Sequence, residues 1–213
     1  MADLSDALLV VLGFALGYGV KKLDDWWGNR RARERLAAVL ATEVEAIRAM
    51  TENSIKINGP SIAEVRQRLS NRGSPIGGVG IADVDYQTTV YHSNVAQLQI
   101  LGENLMVQLT ELYRWVEYAH HQKRLNLEAE NAFMDLSKSL GARGGMTDME
   151  KDMLTYCAGG TVVYATQYLK NQMKILELAS PALTDLEKLG NVQVIGKVQV
   201  STGEPQIETF PKR

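Results

Sequence analysis

Residues 98–119, LQILGENLMVQLTELYRWVEYA, decide the fold class of this chain. Their apolar side chains recur every three or four positions, which is the spacing of one face of an α-helix. Such a face has to be covered by other elements, so the stretch predicts a helix packed into a helical bundle. Gly102 is expected to bend or break this helix near its start. The stripe consists of Leu98, Leu101, Leu105, Leu109, Leu112, Val116 and Ala119.

Two further stretches have the same period. One lies before this helix, at Leu36, Leu40, Val44, Ile47 and Met50; the other lies after it, at Leu154, Ala158, Thr161, Ala165, Tyr168, Gln172 and Leu176. Together the three stretches predict an all-α protein with an antiparallel bundle of three to four helices.

Helix ends are predicted from capping and breaking residues. Thr147 and Glu150 have the spacing of a capping box, and Gly141 begins a glycine-rich stretch suited to a helix end. Asn58-Gly59-Pro60 is expected to stop the first bundle helix, and Ser180-Pro181 to begin a short final helix.

The predicted domain organisation has three parts. Residues 1–27 form an N-terminal anchor with its interfacial flank, and residues 28–189 form the bundle, with a glycine-rich linker at about 73–83. Residues 190–213 lose the helical period and are expected to form an extended or flexible tail. The tail stretch VQVIGKVQV has some strand-like alternation, but the sequence shows no partner strand for it.

The anchor prediction rests on residues 7–20, ALLVVLGFALGYGV, which carry no charge. Counted from Leu4, the run makes a helix of about 25 Å against a hydrocarbon core of ~30 Å. Its length therefore leaves open the alternative of a buried helix in a soluble protein. Lys21, Lys22, Trp26 and Trp27 follow the run and are typical of a membrane interface, which favours a single transmembrane helix.

Basic residues set the expected orientation. No Lys or Arg precedes the run, whereas Lys21, Lys22, Arg30, Arg31, Arg33 and Arg35 follow it. The positive-inside rule then predicts a single-pass protein of the bacterial inner membrane, with the N-terminus outside and the C-terminal bulk in the cytoplasm. We expect the basic cluster to contact anionic membrane lipid and no nucleic acid.

Small residues inside the run predict self-association. Gly13 and Gly17 have the GxxxG spacing, and Ala15 and Gly19 repeat it on a neighbouring face. This spacing allows two helix backbones to approach closely, so we expect a homo-oligomer packed through these four residues. The alternative is that glycine is simply frequent in membrane helices.

The chemical candidates are few. Three His and the single Cys157 exclude a disulfide framework within the chain and a zinc–cysteine site. Glu117 and His120 form an ExxH motif of the kind used in di-iron bundles, but the chain has no second ExxH to complete the ligand set. No nucleophile motif surrounds Cys157 or any Ser, so the sequence predicts no catalytic residue, no metal site and no cofactor.

Residues 43–57, EVEAIRAMTENSIKI, with residues 88–121, TTVYHSNVAQLQILGENLMVQLTELYRWVEYAHH, resemble a loose class of small, uncharacterised bacterial membrane-anchored helical proteins. In that class a Glu-containing helix is followed by an aromatic residue, a leucine–glycine turn and a helix bearing a Tyr. Tyr91, Leu101-Gly102 and Tyr113 match these features. The resemblance covers about residues 5–125; it implies a bacterial or phage origin and no known catalytic residue.

These observations predict a membrane-anchored, self-associating helical interaction or scaffold module without catalytic activity, acting on an unknown protein partner. Two alternatives remain open at this point. One is an oligomeric membrane effector that perturbs or gates the bilayer, and the other is a metal-dependent bundle enzyme.

Overall fold

The computed structural model describes residues 3–70, 78–82, 84–141, 146–195 and 208–211, with side chains from residue 17 onward except at 193, 195 and 208–211. The helices are α1 (Asp3–Ser70), α2 (Thr89–Asn94), a 3₁₀ helix (Val95–Leu101), α3 (Glu103–Gly141) and α4 (Asp148–Gly190). Two short strands follow, β1 (Val192–Ile195) and β2 (Glu208–Pro211). The predicted helical bundle is confirmed.

Helix α4 packs along both α1 and α3 and runs antiparallel to each. Tyr168 of α4 contacts Ser54 of α1, and Gly190 at its end lies against Ala38. The predicted apolar stripe of residues 98–119 is buried at all seven positions, together with most of the stripes on α1 and α4. Fully buried large side chains at the centre include Tyr113, Tyr168, Leu40, Ile47, Leu109, Leu112, Ile175 and Leu186.

The prediction that Asn58-Gly59-Pro60 ends a helix is wrong, because α1 continues through Pro60 to Ser70. Asn58 is buried, donates to the Ser54 hydroxyl over 3.0 Å and accepts the Ala82 amide at 2.8 Å. One turn later, Ile62 is buried in an apolar cluster with residues of α4. These tertiary contacts hold the backbone helical where the local sequence favours a stop.

Helix α4 likewise runs through Pro181, so the predicted separate final helix is wrong. Ala182 and Leu186 beyond the proline are completely buried in the core, which explains why the helix is not interrupted. The predicted start of α4 is confirmed, because Thr147 and Glu150 form its capping box. The described part of α3 reaches Gly141, and the predicted helix end at 141–145 falls on residues 142–145, which lie outside the described residues. Gly102, at φ +101°, separates the 3₁₀ helix from α3.

The C-terminal tail contains a partner strand that sequence reasoning did not find. β1 pairs antiparallel with β2, Val192 opposite Pro211 and Ile195 opposite Glu208. Val194 is buried against the main core, and its amide donates to the Glu187 carboxylate of α4 over 2.8 Å. The two strands lie twelve residues apart, a separation at which alternation alone does not reveal pairing.

The prediction of a transmembrane anchor is corrected. Within the described part of the chain, no helix is both long enough and apolar enough to cross a membrane. The predicted single-pass location in the inner membrane is therefore wrong. In physical terms, the uncharged run of residues 7–20 is shorter than the ~20 apolar residues that a span requires, and Asp6 and Lys21 bound it directly.

Candidate functional site

Residues 17–35 of α1 extend beyond the bundle. From Gly17 to Arg35 every residue is exposed except Gly19 and Glu34, which are half-buried, and Leu36 is the first buried residue. We call residues 17–35 the arm. Because one helix contains both the arm and the bundle segment, the bundle fixes the direction in which the arm points.

The arm exposes large apolar side chains to solvent. Val20 and Leu23 are each 58% exposed, Trp26 is 53% exposed and Trp27 is 49% exposed. Single exposed apolar residues are common on protein surfaces, whereas these four lie within eight residues of one helix.

The arm also carries most of the site residues that the sequence singled out. Lys21, Lys22, Arg30, Arg31, Arg33 and Arg35 are all exposed on it. A Cβ added at Gly17 or Gly19 would meet no described atom within 4 Å, so neither packs against another part of the described chain. Gly13 and Ala15 lie in the part of α1 outside the described side chains. The membrane-interface role predicted for the basic residues depended on a transmembrane helix before them. No such helix is found among the described residues, so that role has no support from the structure.

Arg30 organises the aromatic part of the arm. Its guanidinium carbon lies 5.6 Å from the Trp26 ring centre and 5.9 Å from that of Trp27, and its Nε donates to Glu34 over 2.9 Å. The two indoles meet edge to face at 5.3 Å. Lys22 similarly lies 5.2 Å from the Tyr18 ring. These contacts hold the large side chains in defined positions on the helix surface.

The arm joins the bundle at a wide cleft of about 850 Å³. Arg33 lines the cleft and donates from Nη2 to the Leu101 carbonyl over 2.9 Å, which ties the arm to the end of the 3₁₀ helix. The cleft is lined by Trp26, Asn29, Arg30, Arg33, Glu34, Ile100, Lys188, Leu189 and Asn191.

A buried carboxylate, Glu43 of α1, joins three helices. It accepts the amides of Val90 and Tyr91, in the first turn of α2, over 2.7 and 3.0 Å. It also accepts the hydroxyl of Tyr113 on α3 over 2.5 Å. The Tyr91 and Tyr113 rings are stacked with their centres 3.7 Å apart. The carboxylate thus caps α2 and fixes α3 beside α1.

The chemistry of this cluster is structural. Burial and the nearby Glu43 charge raise the pKa of Tyr113 well above its usual value near 10, so the phenol stays protonated and donates to the carboxylate. Glu43 has both oxygens occupied by these donors. The sequence comparison singled out Tyr91 and Tyr113 and a Glu-containing helix before them. That both tyrosines donate to Glu43 is visible only in the structure.

A second polar network crosses the core between α1 and α4. The Tyr86 hydroxyl donates to Gln172 and shares a hydrogen bond of 3.1 Å with Thr51. Ser54 and the Tyr168 hydroxyl share another of 3.1 Å. Burial raises the pKa of Tyr86 and of Tyr168. These buried polar groups fix the register of α1 against α4.

The Glu117–His120 pair does not converge on a ligand position. Glu117 is exposed, whereas the His120 ring stacks on Tyr86 with centres 5.4 Å apart. Across the described residues, no group of three or more His, Cys, Asp or Glu side chains is arranged to hold a metal ion. Cys157 is half-buried beside the apolar cluster of Phe133, Leu140, Leu154 and Ala158.

Comparisons with known proteins add no assignment: no family model, no curated protein and no solved structure matches this chain.

Proposed function

We propose that this chain is a helical interaction module without catalytic activity, in which the bundle presents the arm to a protein partner. The observation that carries the proposal is the exposure of Val20, Leu23, Trp26 and Trp27 on a helix that continues without a break into the core. Aromatic residues, in particular Trp, are favoured anchors of protein interfaces.

The bundle is suited to holding the arm rigidly. Four buried polar side chains of α1 form hydrogen bonds to other parts of the bundle. The bonds join Glu43 to Tyr113, Thr51 to Tyr86, Ser54 to Tyr168 and Asn58 to the Ala82 amide. Arg33 adds a contact at the point where the arm begins. A preorganised helix loses little conformational freedom on binding, which favours its use as an interaction surface.

The polar core supports an interaction role over an enzymatic one. The carboxylate and phenol groups at the centre engage one another and backbone amides, which leaves them without the free, solvent-reaching position that a general acid or base requires. No observation on the described residues favours the bilayer-perturbing or the metal-dependent alternative.

The test is chemical cross-linking of the full-length chain in its host cells, comparing Leu23→Asp with Tyr156→Asp. Both substitutions add one charge at an exposed apolar position, but Tyr156 lies on α4, where it is 84% exposed. The proposal expects cross-linked complexes that Leu23→Asp abolishes and Tyr156→Asp retains. Complexes that survive Leu23→Asp, or a chain that forms none, would overturn it.

A further inference from the structure

We infer that the partner of the arm is the arm of a second copy of this chain, paired parallel and in register. This inference rests on the proposed function and specifies the partner. It is carried by two independent features of the arm, an apolar stripe and the distribution of charge on its two flanks.

The stripe follows one helical face. Val20, Leu23 and Trp27 are spaced by three and four residues, so they project within about 60° of Leu23 around the helix. Gly19 lies on the same face and has open space around it, which leaves room for a large side chain of the partner. In the sequence, Leu9 and Leu16 precede Leu23 at seven-residue intervals, the repeat of a two-stranded coiled coil.

Charge selects the orientation. Lys22 and Asp24 project about 100° to either side of Leu23, and neither forms an ion pair with another described residue. In a parallel two-fold pair, each flank of one helix meets the opposite flank of the other, so Lys22 of each copy lies beside Asp24 of its partner. An antiparallel pair centred on Leu23 brings identical flanks together and places like charges side by side.

The bundle limits how far this pairing extends along α1. The buried face of α1 is centred about a quarter turn around the helix from Leu23, near Leu40. It also includes Ala37 and Ala41, which lie within about 40° of Leu23 and are fully buried, so the two α1 helices diverge before this point. A parallel two-fold axis then directs the two bundles to opposite sides of the paired arms. The pairing ends at the arm's base, because the close contact of Gly190 with Ala38 covers α1 beyond that point.

The experiment is a charge swap on the full-length chain, with the dimerisation constant measured by sedimentation equilibrium. Lys22→Asp and Asp24→Lys each place like charges opposite one another in both symmetry-related pairs, and each is expected to weaken dimerisation about tenfold. The double variant restores opposite charges and should return to within about threefold of the unmodified chain. Lys21→Asp is the matched control: it makes the same change in net charge on the far side of the helix, and its effect should stay below about twofold.

Several results would overturn the inference. One is a double variant that dimerises as weakly as the single variants. Another is a Lys21→Asp variant that weakens dimerisation as much as Lys22→Asp does. A third is an unmodified chain that remains monomeric. Arm-dependent complexes that contain a different protein and no second copy would overturn this inference while the proposed function stands. Arm-dependent binding to anionic phospholipid vesicles, without any protein complex, would overturn both.

Discussion

Tyr113 on α3 donates its hydroxyl to Glu43 on α1 over 2.5 Å, at the centre of the core. The same carboxylate holds the first turn of α2 through two backbone amides. A single side chain therefore couples the helix that carries the arm to the two elements packed beside it.

Removing the Tyr113 hydroxyl should destabilise the fold without leaving a large cavity in the core. Tyr113→Phe keeps the ring stacked on Tyr91 but deletes a hydrogen bond to a buried carboxylate, which we expect to cost about 1.5–3 kcal/mol of unfolding free energy. Urea denaturation measures the change. Tyr118→Phe on the exposed face of the same helix is the control and should change stability by less than about 0.5 kcal/mol. Equal effects would contradict the coupling assigned to Glu43.

Stability should fall steeply at alkaline pH. Burial raises the pKa of Tyr86, Tyr113 and Tyr168 above the usual value near 10, so above that pH the unfolded chain releases protons that the folded chain retains. The stabilisation is complete below pH ~10 and is lost as the pH rises, by about 1.4 kcal/mol per pH unit for each such Tyr.

Urea denaturation between pH 8 and pH 11, with tyrosinate absorbance recorded in parallel, measures this dependence. Tyr113→Phe should reduce the slope above pH ~10 by about 1.4 kcal/mol per pH unit. The prediction fails if all eight Tyr of the chain ionise together near pH 10 while the helices remain folded.

Sequence periodicity predicted the bundle well, because a helix that buries one face has apolar residues every three or four positions. Leu105, Leu109 and Leu112 have this spacing and are all buried. The helix breaks predicted at Pro60 and Pro181 were wrong, because local sequence does not show which contacts form beyond a proline. Whether a proline ends a helix depends on the contacts beyond it, and Ile62 and Leu186 are packed against distant segments that local sequence does not specify.

Two glycines of α4 should respond in opposite directions to alanine. At Gly190 an added Cβ would lie 2.9 Å from the amide nitrogen of Ala38, in the middle of α1. Gly190→Ala therefore pushes the end of α4 away from α1 and should cost about 1–3 kcal/mol. Gly159 has no atom within 4 Å of an added Cβ, so Gly159→Ala should stabilise the helix by up to about 1 kcal/mol. Thermal denaturation compares them, and a shift of the same sign would contradict the described packing of Gly190.

Replacing Pro60 tests the continuity of α1. Pro60 is exposed and lies inside the helix, where it cannot donate to the carbonyl one turn earlier. Pro60→Ala should therefore raise the unfolding free energy, by up to about 3 kcal/mol, and leave the helical content unchanged or slightly higher. A loss of stability would indicate that the chain needs a turn at this position.

The arm was only partly visible to sequence reasoning. The positions of Lys21, Lys22, Trp26 and Trp27 after an apolar run predicted a boundary at a membrane surface. In the structure these four residues are exposed on the arm, and the first buried residue of α1 is Leu36. Where the bundle begins, at Leu36, depends on how far α4 and the turn before α3 reach along α1. That reach is a tertiary property, fixed by contacts such as Arg33 with Leu101.

The central claim, that two copies meet through parallel arms, is tested most directly by pulsed electron–electron distance measurement between spin labels. The labels are attached in separate samples at Gly17→Cys and at Arg31→Cys, with Cys157 replaced by Ser. Parallel helices lie ~8–10 Å apart along their length, so both positions should give one short distance between copies, set by that spacing and the label length. An antiparallel pair centred on Leu23 or Asp24 would add an axial offset of about 20 Å at both positions. That longer distance, or the absence of any signal between copies, would contradict the account.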